Sequence, residues 1–267
     1  MVIKLGMIGC GMMGEALISR IVLGGVYSAD EILVSDPMEA RRSFLQDRYG
    51  IQATSDNSKV ATAQEILLLA IKPQVFTQVV PALGRYILPS SAIVSILAGT
   101  TLAQLEDALP GKAVIRAMPN TPAQVGSGVT AIASGQHVKP EQLIKARAVL
   151  ESVGSVVDVP ETMMDAVTGL SGSGPGYIAL VIEALADGGV ASGLPRSIAM
   201  QLSLDTVLGT AKLLKETGLH PGELKDRVTS PGGTTIAGIA ALEERGLRSA
   251  LIEAVKAATY RSKELGI

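Results

Sequence analysis

The sequence contains no tryptophan, and aromatic residues make up only 3% of its 267 residues. A row of aromatic faces for stacking nucleic-acid bases is therefore missing. Charge of one sign is scarce too. The formal net charge is −2 and no long basic run appears, which argues against a polyanionic partner. Cys10 is the single cysteine, so neither an intrachain disulfide nor a cysteine-based metal site can form. With only two histidines, His137 and His220, a histidine-rich metal site is not expected. Long apolar runs are also lacking. The N-terminal apolar stretch is short and contains a glycine turn, unlike a signal peptide. The stretch 177–186 is interrupted by Glu183 and closed by Asp187-Gly188-Gly189, too short and too polar for a membrane span. A soluble cytoplasmic protein without a membrane partner is the expectation.

What is present is a chain rich in small and aliphatic residues. Hydrophobic residues are 47% of the total, a globular composition in a chain long enough for two domains. The most informative segment is the first. An apolar strand over 3–8 runs into Gly9-Cys10-Gly11-Met12-Met13-Gly14, and residues 15–23 follow with apolar positions at helical spacing. The G-x-G-x-x-G pattern is weak alone, but strand, glycines and helix in this order predict a dinucleotide-binding turn. Gly9 would permit the tight turn, Gly11 the approach of a pyrophosphate, and Gly14 close packing of helix on strand. The helix start supplies unpaired N–H groups and a positive dipole end.

Residues 1–160 alternate strand and helix signals. Strands are expected at 31–35, 66–71, 92–97, 113–118, 129–133 and 155–159. Helices are expected at 39–49, 75–86, 102–109 and 140–152. Near-continuous apolar strands alternating with helices predict an α/β fold: a Rossmann-type, doubly wound, mostly parallel sheet covered on both faces. From 161 to 267 the strand signals stop. Helical periodicity at 163–168, 176–188, 196–217 and 247–265 predicts an all-helical second domain. Gly209 and the many alanines would let helices approach closely, and the surplus apolar surface predicts dimerisation.

In open α/β sheets ligands sit beyond the carboxyl ends of the strands. That rule selects Asp36, Lys72-Pro73, Ala98-Gly99, and the stiffened loop Met118-Pro119-Asn120-Thr121-Pro122. Asp36 follows the glycine turn at about the twenty-residue offset of an acid that binds ribose hydroxyls. Arg41 and Arg42 lie close behind and could accommodate a 2′-phosphate, so the residues leave NAD and NADP both open. Two further runs, Thr168 to Pro175 and Thr229 to Thr235, combine glycines with small hydroxyls ahead of helices. Such starts suit an anion such as a carboxylate, whereas ordinary capping needs one hydroxyl.

Ala70-Ile71-Lys72-Pro73, Met118-Pro119-Asn120-Thr121-Pro122, Thr168 to Pro175, His220-Pro221-Gly222 and Ser230-Pro231-Gly232-Gly233-Thr234-Thr235 occur in one order and spacing. Together they resemble the pyrroline-5-carboxylate reductases over essentially the whole chain, and the last run is the most specific. The resemblance implies reduction of L-1-pyrroline-5-carboxylate to L-proline, the last step of proline biosynthesis, with NADPH preferred and NADH often accepted. It implies a cytoplasmic homodimer, often assembled into a decamer. It assigns the substrate carboxylate to Ser230, Gly232, Gly233 and Thr234, and the imine nitrogen to Thr235. The cofactor falls to Gly9, Cys10, Gly11, Met12, Met13, Gly14, Ser35, Asp36, Asn57, Ala70, Lys72, Pro73, Ala98, Gly99 and Asn120. Many relatives carry a neutral or basic residue where this chain has Asp36, which counts against strict NADPH use.

An iminium carbon accepts hydride readily, so positioning and charge placement would supply most of the rate, with no catalytic histidine needed. Two other readings are a hydroxyacid dehydrogenase of similar plan and a non-catalytic dinucleotide sensor. The first wants a lysine within about a turn of a glycine-rich helix start, yet residues 174–185 contain none, and Lys212 is the nearest.

Overall fold

The structure is a computed structural model that describes residues 2–266. The strands are β1 (Leu5–Ile8), β2 (Ile32–Ser35), β3 (Gln52–Thr54), β4 (Ile66–Leu69), β5 (Ala92–Ser95), β6 (Ala113–Met118), β7 (Gly128–Ser134) and β8 (Gly154–Asp158). They form one sheet in the order β3-β2-β1-β4-β5-β6-β7-β8. The first six are parallel, β7 is antiparallel to β6, and β8 is parallel to β7. Strand order reverses between β1 and β4, the crevice position in doubly wound sheets.

The helices of this first part are α1 (Met12–Leu23), α2 (Glu39–Tyr49), α3 (Asn57–Val60), α4 (Phe76–Val79), α5 (Leu102–Ala108), α6 (Pro140–Glu151) and α7 (Met164–Val167). Strands β1, β4 and β5 are buried at every position. Their side chains alternate between two cores, as the strand period of two requires. Met7, Leu68 and Val94 pack with Leu17, Ile18 and Ile21 of α1, Leu45 of α2 and Leu150 of α6. Ile8, Leu69 and Ile93 pack with Val60 of α3, Leu105 of α5 and Met164 of α7. Two-sided burial explains why these strands read as unbroken apolar runs.

The continuous helix expected over 75–86 is absent. Two 3₁₀ turns, Pro73–Val75 and Pro81–Leu83, flank the single turn of α4. Each proline lacks an N–H and interrupts the helical ladder. Strand β3 and helix α3 were not foreseen; three or four residues carry no measurable period.

The remaining helices are α8 (Gly174–Ala191), α9 (Arg196–Thr217), α10 (Pro221–Arg227), α11 (Thr234–Glu244) and α12 (Leu247–Leu265). The chain divides into two compact units. One holds the sheet through Gly172 together with the last turns of α12 from Ala258, and the other spans Ser173–Ala257. In the first unit Ser262 Oγ of α12 donates to Asp165 Oδ1 at 2.7 Å. In the second, α8 and α9 pack together at Gly189, where a Cβ would lie 3.0 Å from that of Ala199. Gly209, expected to serve this purpose, faces open space. Only Ala186, Ala199 and Ser203 of this unit are buried, while Leu180, Leu202 and Leu208 are 66%, 52% and 67% exposed. No helix among the described residues is long and apolar enough to cross a membrane.

Candidate functional site

The register places Ile8 level with Ser35 and Leu69, and Leu69 level with Ser95. The residues that follow, Gly9, Asp36, Ala70 and the segment leading to Ala98-Gly99, therefore leave the same sheet edge. Gly9 turns the chain there at φ +88°, and its N–H donates to Ser35 O at 2.9 Å. A Cβ on Gly9 would lie 2.7 Å from Ala70 O, and one on Gly14 would lie 2.9 Å from Gly9 O. A Cβ on Gly11 would meet nothing within 4 Å. Gly9 and Gly14 are thus required by packing, whereas nothing crowds the Cβ position of Gly11 at an exposed turn. That contrast fits a backbone surface kept open for a ligand. Gly11 is also the N-cap of α1, with no side chain capping it. The N–H groups at Met12, Met13 and Gly14 that open the helix are so arranged for a phosphate.

Asp36 closes this turn. Its Oδ2 accepts the Cys10 N–H at 3.1 Å and its Oδ1 the Met38 N–H at 2.9 Å. Cys10 itself is buried, with Sγ 3.5 Å from Ser35 O. Burial, then the charge of Asp36, pushes its thiol up to about 12 against a smaller opposing effect of Arg41. Ser35 Oγ donates to Asn57 Oδ1 at 2.7 Å, so two predicted cofactor residues brace each other across β2 and α3.

Of the two arginines behind Asp36, Arg41 reaches the glycine turn and Arg42 stays at the end of β2. Arg41 Nε donates to Cys10 O at 2.5 Å, and its Nη2 to Glu15 Oε2 at 2.5 Å. Tyr49 OH donates to the other oxygen of Glu15 at 3.0 Å. Burial alone would raise the Glu15 carboxyl, but these two hydrogen bonds and the Arg41 charge hold it below the usual range. Arg42 Nη1 donates to the carbonyls of Asp36 and Pro37, at 2.8 and 3.0 Å. The Glu15–Arg41–Tyr49 cluster was not read from the sequence. A charged residue in the first turn of the glycine-motif helix was its only trace.

Further along the edge, Lys72 is exposed after β4. Asn120 is spent on structure: its Oδ1 accepts the Val129 N–H at 3.0 Å, and its Nδ2 donates to Ser171 O at 3.2 Å. Pro73, Ala98 and Gly99 line a cavity of about 530 Å³ with Phe76, Gln104 and Leu265. Gly99 has φ +76°, and a Cβ there would lie 3.3 Å from Leu265 O. The sheet also carries an ion pair between a buried arginine and a half-buried glutamate. Arg116 of β6 meets Glu161 Oε1 at 2.7 Å, and that oxygen accepts the Leu102 N–H at 3.0 Å.

The second candidate run lies in the helical unit. Gly233 is the N-cap of α11, again without a side-chain cap, and its N–H donates to Ser230 O at 3.0 Å. Gly232 has φ +66°. The hydroxyls of Ser230, Thr234 and Thr235 are not used to cap the helix. An uncapped helix start beside three hydroxyls is therefore open to an anion. His220, by contrast, caps α10, its Nδ1 accepting the Gly222 N–H at 3.1 Å. The run at 168–175 differs from expectation. Residues Thr168–Gly172 form a π-helical turn, and the hydroxyls of Thr168 and Ser171 donate to Met164 O and Val167 O. These two hydroxyls are spent on carbonyls four residues back and do not donate to an anion. Among the described residues no group of three His, Cys, Asp or Glu side chains is placed to hold a metal ion.

Residues 161–265 match the family model for pyrroline-5-carboxylate reductase dimerisation, and residues 4–99 match the one for NADP oxidoreductase, coenzyme F420-dependent. The chain is 56% identical to the pyrroline-5-carboxylate reductase of Synechocystis over 267 residues, covering 100% of this chain and 99% of that protein. It belongs to the pyrroline-5-carboxylate reductase family. The Escherichia coli reductase is 40% identical, with 98% of each chain covered. Among solved structures, a pyrroline-5-carboxylate reductase from Coxiella burnetii superposes with a TM-score of 0.94 at 32% identity, covering 100% of both chains. The pyrroline carboxylate reductase of Plasmodium falciparum, solved with NADP bound, gives 0.89 at 31% identity, covering 99% of this chain and 98% of that one. A prephenate dehydrogenase of Aquifex aeolicus, at 13% identity and a TM-score of 0.55, shares the fold alone. The lysine that the hydroxyacid dehydrogenase reading would need has no counterpart here. Lys212 is exposed on α9, 3.8 Å from Glu216. The resemblance read from the Ser-Pro-Gly-Gly-Thr-Thr run and its companions agrees with the family found.

Proposed function

We propose that this protein reduces L-1-pyrroline-5-carboxylate to L-proline with a reduced nicotinamide dinucleotide, closing proline biosynthesis. The observation that carries this reading is a glycine N-cap without a side-chain cap in each compact unit: Gly11 before α1 and Gly233, beside three hydroxyls, before α11. The first suits a pyrophosphate and the second a small carboxylate. NADPH or NADH, when bound, supplies the hydride.

The remaining work belongs to the chain. Gly9, Gly11 and Gly14 shape the turn, and the N–H groups opening α1 hold the pyrophosphate. Ser35, Asp36 and Asn57 serve the adenosine ribose. Ala70, Lys72, Pro73, Ala98, Gly99 and Asn120 form the wall beyond β4, β5 and β6. Ser230, Gly232, Gly233 and Thr234 hold the substrate carboxylate. The Thr235 hydroxyl donates to the imine nitrogen and orients the C=N bond, so that catalysis rests on positioning and fixed dipoles.

The exposed leucines of α8 and α9 support a homodimer built through residues 161–267, as the dimerisation family at 161–265 also suggests. Further assembly into a decamer and a cytoplasmic location complete the reading. Purified protein should oxidise NADPH or NADH only when the cyclic imine is supplied. Turnover of a hydroxyacid in its place would contradict the proposal.

A further inference from the structure

We propose that Arg42, and not Arg41, is the residue that admits a 2′-phosphate on the cofactor, while Arg41 positions the glycine turn for either cofactor. This rests on the dinucleotide reading above and goes on to assign cofactor selectivity. Sequence alone leaves the two arginines equivalent, since both follow Asp36 within the first turn of α2. Their surroundings separate them.

Arg41 is committed through Nε and Nη2, and its charge is neutralised. Its Nε and Nη2 hold the carbonyls of Cys10 and Gly11, at 2.5 and 3.4 Å, inside the glycine turn. Its charge is met by Glu15 at 2.5 Å, and Tyr49 fixes that carboxylate from the other side. The guanidinium carbon also lies 5.1 Å from the centre of the Phe44 ring. Drawing Arg41 to a phosphate would break the ion pair, release two loop carbonyls and leave Glu15 without its cation. What Arg41 does for a ligand it does through the turn, and equally for NAD and NADP.

Arg42 is tethered but not neutralised. Only its Nη1 is engaged, by the carbonyls of Asp36 and Pro37. Among the described residues it has no carboxylate partner. The tether places the guanidinium at the carboxyl end of β2, where the adenosine ribose of a doubly wound dinucleotide domain lies. Its Nε and Nη2 remain to donate to a phosphate of charge about −1.5 to −2. Asp36 cannot turn away from that position, because its two oxygens accept the N–H groups of Cys10 and Met38. It keeps lone pairs for a ribose hydroxyl. A fixed acid for the 2′-hydroxyl and a tethered cation for the 2′-phosphate stand side by side, which suits a protein that accepts both cofactors.

The test is binding of ADP and of 2′,5′-ADP, measured by calorimetry on the whole protein and its variants Arg42→Gln, Arg42→Lys and Arg41→Gln. Arg42→Gln should weaken 2′,5′-ADP about tenfold and change ADP less than about twofold. Arg42→Lys should recover part of the loss, and raised salt should narrow the wild-type difference between the two ligands. Arg41→Gln should weaken both ligands by a similar factor. Selective loss of 2′,5′-ADP in Arg41→Gln, or equal effects on both ligands in Arg42→Gln, would overturn the assignment. Failure of the wild type to bind either ligand would overturn it together with the dinucleotide reading. The full binding pattern without turnover of the imine would leave Arg42 assigned and reject the reductase.

Discussion

Asp36 Oδ2 accepts the backbone N–H of Cys10 at 3.1 Å. A side chain at the end of β2 thereby fixes the glycine turn at the end of β1. The residue proposed to read the cofactor's ribose is thus also part of the frame of the glycine turn.

Replacing it should therefore act on two readouts. Asp36→Ser removes negative charge next to a 2′-phosphate. The NADPH to NADH ratio of kcat/KM should rise about tenfold, equivalent to roughly 1.4 kcal/mol. The melting temperature should fall modestly, because two backbone N–H groups, those of Cys10 and Met38, lose a charged acceptor. An unchanged ratio would place the ribose elsewhere.

The glycines of the turn should behave differently from one another. Gly9→Ala places a non-glycine residue at φ +88° and 2.7 Å from Ala70 O. It should cost about 1–3 kcal/mol of stability in chemical denaturation. Gly11→Ala places its Cβ where nothing lies within 4 Å, at an ordinary φ of −66°. It should fold with wild-type stability and lose at least about tenfold in dinucleotide affinity. Equal stability loss in both variants would mean that Gly11 is structural.

Thr235→Ala should lower kcat/KM by about one to two orders of magnitude, since one positioned hydrogen bond is worth about 1–3 kcal/mol. Dinucleotide affinity should persist, because the substitution lies in α11. Wild-type kcat/KM would reduce Thr235 to an ordinary first-turn residue.

The Glu15–Arg41 pair should be visible in the acid limb of stability. The folded carboxyl lies below its unfolded value. Its contribution is complete above the unfolded pKa and is lost as pH falls through the folded one. Thermal unfolding of Glu15→Gln should therefore approach wild type at low pH and fall short of it at neutral pH. A constant gap across that range would contradict the pairing.

Much of this was legible in the chain itself. The strand, three glycines and helix at 3–23 specify the turn because each glycine answers a separate local demand. The buried strands β1, β4 and β5 were visible as apolar runs because both their faces are covered. Other features depend on side-chain contacts that only folding decides. Arg41 and Arg42 are neighbours in the chain, yet only folding gives one of them Glu15 and the other the carbonyls of Asp36 and Pro37. The hydroxyls at Thr168 and Ser171 looked like those at Ser230 to Thr235. The difference is a π-helical turn whose carbonyls take the first pair.

The most direct test of the central claim is isotope transfer. Nicotinamide dinucleotide deuterated at the transferable position should be incubated with the protein and pyrroline-5-carboxylate, and the product analysed by mass spectrometry. The account predicts L-proline carrying one deuterium at the former imine carbon, formed in step with cofactor oxidation. Unlabelled proline, or cofactor oxidation without proline, would contradict it.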